Sequence, residues 1–216
     1  MGLTVSDSGG GDFKRTPAGV HIGRCYRIVD LGTQEETYEG ETKLMPKLAI
    51  YWELHGEDEE GKPLMNDNGE PMTIWKEYTA SLGKKAKLRS DLESWRGRPF
   101  TDEEAKGFEV PKLLNAYCMV NVTHKTSQQG KTYATVTSLT PLPTALRHSK
   151  PSAILPSAVF DLQNPDETLF NTFHDKLKEK INNSMERKGG SKSLSSGQAD
   201  QRVPADAYDD GDSIHF

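Results

Sequence analysis

Cysteine is scarce: Cys25 and Cys118 are the only two in 216 residues, too few for a disulfide framework or for a zinc site of their own. Long apolar runs are missing as well. No stretch approaches the roughly 20 residues of a membrane span, and no basic-then-apolar start marks a secretory signal. Only 34% of the residues are hydrophobic and 8% aromatic, against 27% charged. A chain of this length can bury a core of its own, but that composition predicts that part of it stays outside the core. Neither sign of charge dominates, since 27 basic and 32 acidic residues leave −5. These absences exclude a small secreted module and predict a soluble, cytoplasmic chain.

Catalytic patterns are equally thin. The six histidines, at 21, 55, 124, 148, 174 and 215, include no pair at the i, i+4 spacing of a helical metal site. Gly9-Gly10-Gly11 lacks both the preceding strand and the following Lys-Ser/Thr of a phosphate loop. Cys25 and Cys118 fall in strand-like runs, where a small buried hydrophobe is expected in place of a nucleophile. Met1 to Ser6 fits the permissive N-myristoylation template, yet residues 1–12 read as a plain Ser/Gly-rich flexible arm. The chain therefore reads as a binding protein and not an enzyme, with no cofactor and no metal.

What is present is a series of strands with one helix inside it. After the turn at Pro17-Ala18-Gly19, a β-rich run extends from Val20 to Leu31. Leu48, Ile50, Trp52 and Leu54 alternate with Lys47, Ala49, Tyr51 and Glu53, the period of a half-buried strand. Turn signals at Glu60-Gly61 and Asp67-Asn68-Gly69 mark a long excursion before a third strand over Met72 to Ala80. Ser81 is a candidate cap for a helix reaching Trp95, with Leu88, Leu92 and Trp95 as its buried stripe. A helical turn near Asp102 to Ala105 precedes two more strands, from Tyr117 to Thr123 and from Thr132 to Leu139. Three strands, a helix and two strands is the order of an oligonucleotide-binding (OB) barrel, so the expected fold is mainly β: a five-stranded OB-fold barrel with an internal helix. An α+β sheet shares that order.

The expected organisation is a flexible arm at 1–12, an OB-fold binding domain at 13–150, a linker and C-terminal helix at 151–187, and a disordered tether with an acidic tail at 188–216. The helix, over Asp166 to Arg187, places Leu169, Phe173, Leu177 and Ile181 on one face, to pack on the barrel or to support a homo-oligomer. Charge separates the parts: residues 1–150 hold 20 basic and 21 acidic side chains, and residues 151–216 hold 7 and 11.

Binding signals concentrate in two places. Lys84, Lys85, Lys87, Arg89, Arg96 and Arg98 face only Asp91 and Glu93 within one segment, a local surplus of four cations. If the even-numbered residues of the second strand point inward, Tyr51 points outward beside Lys47. Tyr117 and Tyr133 likewise oppose the apolar faces of their strands, and Lys76 shares a face with Tyr78. Exposed rings beside lysines suit single-stranded nucleic acid, whose bases stack at about 1–3 kcal/mol each while ammonium groups neutralise phosphates. The expected DNA-binding set is therefore Lys47, Tyr51, Lys76, Tyr78, Lys84, Lys85, Lys87, Tyr117, Lys125, Lys131 and Tyr133. Trp52 and Trp75 read as core. The second place is the acidic segment Asp206 to Phe216, where Asp209, Asp210 and Asp212 precede Ile214 and Phe216, an amphiphilic peptide for a partner with an apolar pocket and a basic rim.

That segment resembles the acidic tip of bacterial single-stranded DNA-binding proteins, which close on aspartates and Ile-Pro-Phe; His215 stands here in place of the proline. The body resembles a group of tailed-phage replication and recombination proteins regarded as single-stranded DNA-binding. The resemblance is carried by Tyr26 to Gln34, by Leu88 to Thr101 and by Gly130 to Ala134. It implies an OB-fold, sequence-tolerant binding of single strands in an infected bacterial cell, and replication or recombination proteins as partners of the tail. The rival expectation is a protein-interaction adaptor whose tail mimics the host tip and whose body binds no DNA.

Overall fold

The computed structural model describes residues 15–38, 40–58 and 60–189, and one sheet of six strands organises them. Strand β1 spans Gly19–Tyr38, β2 Glu41–His55, β3 Thr73–Thr79, β4 Tyr117–Thr126, β5 Thr132–Pro141 and β6 Ala158–Phe160. The order is β3-β2-β1-β4-β5, all antiparallel, with β6 added parallel to β1. The end strands β3 and β5 approach one another, but among the described residues no ladder joins them, so the sheet is curled and open. Among the described residues no helix is long and apolar enough to cross a membrane.

Twenty residues is long for one strand, and β1 manages it by bending. Its register with β2 shifts between Cys25 and Arg27 and again between Asp30 and Gly32. Tyr26 and Leu31 are the extra residues, and a one-residue bulge reverses which side chains face which side. Cys25 and Ile28, three apart, thus join one core, while Tyr26, Val29 and Leu31 join another.

The first core lies inside the curl. Helix α1 (Lys87–Arg96) sets Leu88, Leu92 and Trp95 against Leu48, Ile50, Trp52 and the inward residues of β4 and β5. Its stop is chemical: Gly97 sits at φ 71°, and the amides of Gly97 and Arg98 bond back to Ser94 and Glu93, a glycine C-cap. The expected start at Ser81 is corrected. Ser81 Oγ caps only the local turn at Gly83, and α1 begins six residues later without a side-chain cap. Helix α2 (Asp102–Lys106) opens with a capping box between Thr101 and Glu104. The two expected turns of the 56–71 excursion are present, with Gly61 and Gly69 at positive φ and Leu64 buried as its anchor.

The second core lies on the opposite face of β1 and β2, where residues 158–188 cover the sheet. The single expected helix is three short ones: α3 (Glu167–Asn171), α4 (Asp175–Asn182) and α5 (Met185–Lys188). Asp166, His174 and Ser184 each accept a bond from a following backbone amide, so each starts a new helix and ends the previous run. Phe160, Phe173, Leu177 and Ile181 then bury against Tyr26, Val29, Leu31, Ala49 and Tyr51. Gly32, at φ 68°, lies so close to Ser184, Glu186 and Leu162 that a Cβ would meet each within 2.7 Å. The expected five-stranded count is corrected to six, because β6 pairs Arg27 to Val29 within the region read as a linker.

A buried ion pair ties this covering to the sheet. Arg24 Nε and Nη2 donate to the two carboxylate oxygens of Glu53 at 2.6 and 2.9 Å. Arg24 Nη1 reaches Asn115 and Ser157, Nη2 also reaches the Leu155 carbonyl, and Glu53 accepts from the Ile154 and Leu155 amides. Burial pushes the Glu53 carboxyl up, but Arg24 and the two amides outweigh it and hold it at about 2.

Candidate nucleic-acid interface

The rings expected to face outward divide sharply. Tyr51 is only 7% exposed, because β2 is buried on both faces once the C-terminal helices are in place. Its ring stacks on Trp75 with centroids 5.7 Å apart and meets Tyr26 edge-on. Burial pushes its phenol well up, and its hydroxyl has no hydrogen-bond partner among the described residues. Tyr78 is 3% exposed and belongs to the inner core, its hydroxyl donating to Asp91 Oδ2 at 2.9 Å. Both are corrected from outward stacking rings to core residues. No base can reach either while these layers stay closed.

Some of the lysines are engaged as well. Lys47 is mostly buried and bonds Glu36 at 2.6 Å, a cross-strand pair near the far end of the β1–β2 ribbon. Lys76 Nζ donates to Asp91 Oδ2 at 2.8 Å, and Lys87 Nζ lies 3.2 Å from Asp91 Oδ1. Arg89 pairs with Glu93, and Arg96 and Arg98 share Glu104. Much of the cationic surplus read from α1 is thereby offset by carboxylates that the fold carries to it.

What the structure does bring together is a lysine locus at the N-terminal end of α1. Lys76 from β3 and Lys87 from α1 share the Asp91 carboxylate. Burial pulls the Lys76 ammonium below its ordinary value; Asp91 opposes that, and the nearby charges of Lys87 and of Lys125 from β4 lower it further. Two ammonium groups from two elements therefore hold one buried carboxylate, and a third charge, on Lys125, acts on Lys76. Lys84 and Lys85 are exposed in the turn just before Lys87. Lys125 and Lys131 are exposed on either side of the β4–β5 turn, and half-buried Tyr133 is the register partner of Lys125. The arrangement is a positive ridge with one ring in it.

The chain matches no protein-family model and no curated protein sequence.

Tyr117 stands apart from that ridge, at the opposite end of β4 from Lys125. Its hydroxyl donates to the Pro151 carbonyl at 2.6 Å, and its ring lines a cleft with Trp95, Arg147 and Lys150. Arg147 and Lys150 lie in the irregular stretch after β5, where sequence reading had no periodicity to assign them a neighbour. Asp209, Asp210, Asp212, Ile214 and Phe216 lie outside the described residues, as does the arm at 1–12. Cys25 and Cys118 are buried free thiols, as expected of small hydrophobes, and burial pushes the Cys25 thiol up to about 12. Among the described residues no group of three His, Cys, Asp or Glu side chains could hold a metal ion.

Proposed function

We propose that this chain binds single-stranded DNA without strong sequence preference, along the lysine ridge, and that its curled sheet is an OB-type barrel. One arrangement supports the reading: Lys76 and Lys87, from two separate elements, share the Asp91 carboxylate, the charge of Lys125 acts on Lys76, and exposed Lys84 and Lys131 carry further cations. Like charges repel when gathered, and a polyanion relieves that repulsion while releasing its own counterions. A base would stack on half-buried Tyr133, since burial removes Tyr51 and Tyr78 from that role. In the same reading the acidic segment ending at Phe216 recruits replication or recombination proteins in a phage-infected cell.

The test is fluorescence anisotropy of labelled oligo(dT) with the full chain across a salt series. Binding should weaken steadily as salt rises. A variant with Lys84, Lys85, Lys125 and Lys131 all changed to Gln should lose up to about 3 from the slope of log K against log salt, at roughly 0.7 per single-strand phosphate contact. Absence of binding by the unaltered chain at low salt would leave the adaptor reading in its place.

A further inference from the structure

A second concavity lies where α1 ends and β5 leaves the sheet. It encloses about 390 Å³, within the roughly 300–1,000 Å³ of small-molecule sites. Its apolar side comes from Trp95, Phe108, Leu113, Tyr117 and Leu142. Its charged side comes from Arg96, Lys112, Arg147 and Lys150, and no carboxylate lines it. Two of those charges are offset from behind, Arg96 by Glu104 and Lys112 by an exposed pair with Glu109. Arg147 and Lys150 have no carboxylate at ion-pair distance among the described residues.

The lining is held in place by bonds of its own. Trp95 Nε1 donates to the Tyr117 carbonyl at 3.1 Å, and the Tyr117 hydroxyl is fixed on Pro151. Lys150 Nζ lies 5.6 Å from the centre of the Tyr117 ring, and Arg147 Nε is anchored on the Leu142 carbonyl at 3.2 Å. Arg96 packs over Phe100 at 4.3 Å and keeps Nη1 buried without a partner, an unused donor on a charged group.

We infer that this cleft binds one nucleotide unit, its base against the Tyr117 side and its phosphate among Arg96, Arg147 and Lys150. Flat rings beside cations select a ligand with both a π-face and negative charge. Inorganic phosphate would leave the rings unused, and an uncharged nucleoside would leave the cations unused. The volume admits one unit. The site does not rest on the lysine ridge: Arg96 is about 14 Å along α1 from Lys87, and Tyr117 about 26 Å along β4 from Lys125.

Calorimetric titration of the full chain with thymidine 5′-monophosphate tests it, beside thymidine and inorganic phosphate. Binding of the monophosphate at least tenfold tighter than either fragment is expected. The double variant Arg147→Gln with Lys150→Gln, both exposed and outside the core, should weaken it at least fivefold with an unchanged circular dichroism spectrum. The lysine-ridge variant should bind the monophosphate normally, so the two proposals fail separately. Tetrathymidylate with and without a 5′-phosphate distinguishes the sources: preference for the phosphorylated form points to a strand end, and binding of the monophosphate alone to a free nucleotide. No heat with the monophosphate, or equal affinity in the double variant, overturns the inference.

Discussion

Arg24 and Glu53 face each other across β1 and β2, joined by two bonds of 2.6 and 2.9 Å, with side chains 1% and 0% exposed. The pair lies where residues 154–157 cross the sheet, so it couples the C-terminal covering to the body.

Removing one member should therefore cost more than an ordinary surface pair. Glu53→Gln leaves the Arg24 guanidinium buried with part of its compensation gone, and a loss of about 3–5 kcal/mol is expected in urea unfolding. The pH dependence has a definite sign. A carboxyl held at about 2 when folded and near its ordinary value when unfolded contributes stability that is complete above that ordinary value. That contribution, about 3 kcal/mol at most, disappears as the pH falls towards 2. Thermal melts at pH 7 and pH 3 should show a larger drop for the unaltered chain than for Glu53→Gln.

Tyr51→Phe should be neutral or stabilising by about 1 kcal/mol, because the hydroxyl it deletes is buried without a partner. Tyr51→Ala should cost about 3–5 kcal/mol by emptying the space between Tyr26 and Trp75. Oligo(dT) affinity of Tyr51→Phe should equal that of the unaltered chain. A large loss there would return Tyr51 to the interface.

Asp91→Asn separates structure from binding at a single position. The substitution weakens the hold on Lys76, Tyr78 and Lys87, and unfolding should show a loss of about 2 kcal/mol. The same change removes the carboxylate that Lys76 and Lys87 share, so oligo(dT) affinity should rise and its salt dependence steepen. Stability and affinity moving in opposite directions is the signature to measure.

Deleting residues 207–216 should leave oligo(dT) affinity unchanged or higher while abolishing pull-down of replication or recombination proteins. Outright loss of DNA affinity in the shortened chain would refute the partner-peptide assignment.

Several elements were legible in advance for local reasons. The alternation from Leu48 to Leu54 identified the inner face of β2, and glycine turn chemistry located the bends at Gly61 and Gly69. The α1 stripe of Leu88, Leu92 and Trp95 was readable from spacing alone. β1 offered no period-2 pattern to read, because two bulges reverse its alternation within a few residues. Period-2 reading misjudged the outer face of β2. A tyrosine opposite an apolar face is exposed only if nothing packs on it, and the covering helices lie more than a hundred residues further along the chain.

The amino-acid sequence by itself determined the order of the first five strands with α1 between them, the turns of the 56–71 excursion and the inner apolar face of β2, because these depend on neighbours a few residues apart. Tertiary structure alone decided which cations and rings remain available. It brought Glu36 to Lys47, Asp91 to Lys76 and Tyr78, and Phe160 and Phe173 over the face that carries Tyr51. Exposure and charge compensation are properties of contacts between distant segments, and no local pattern encodes them.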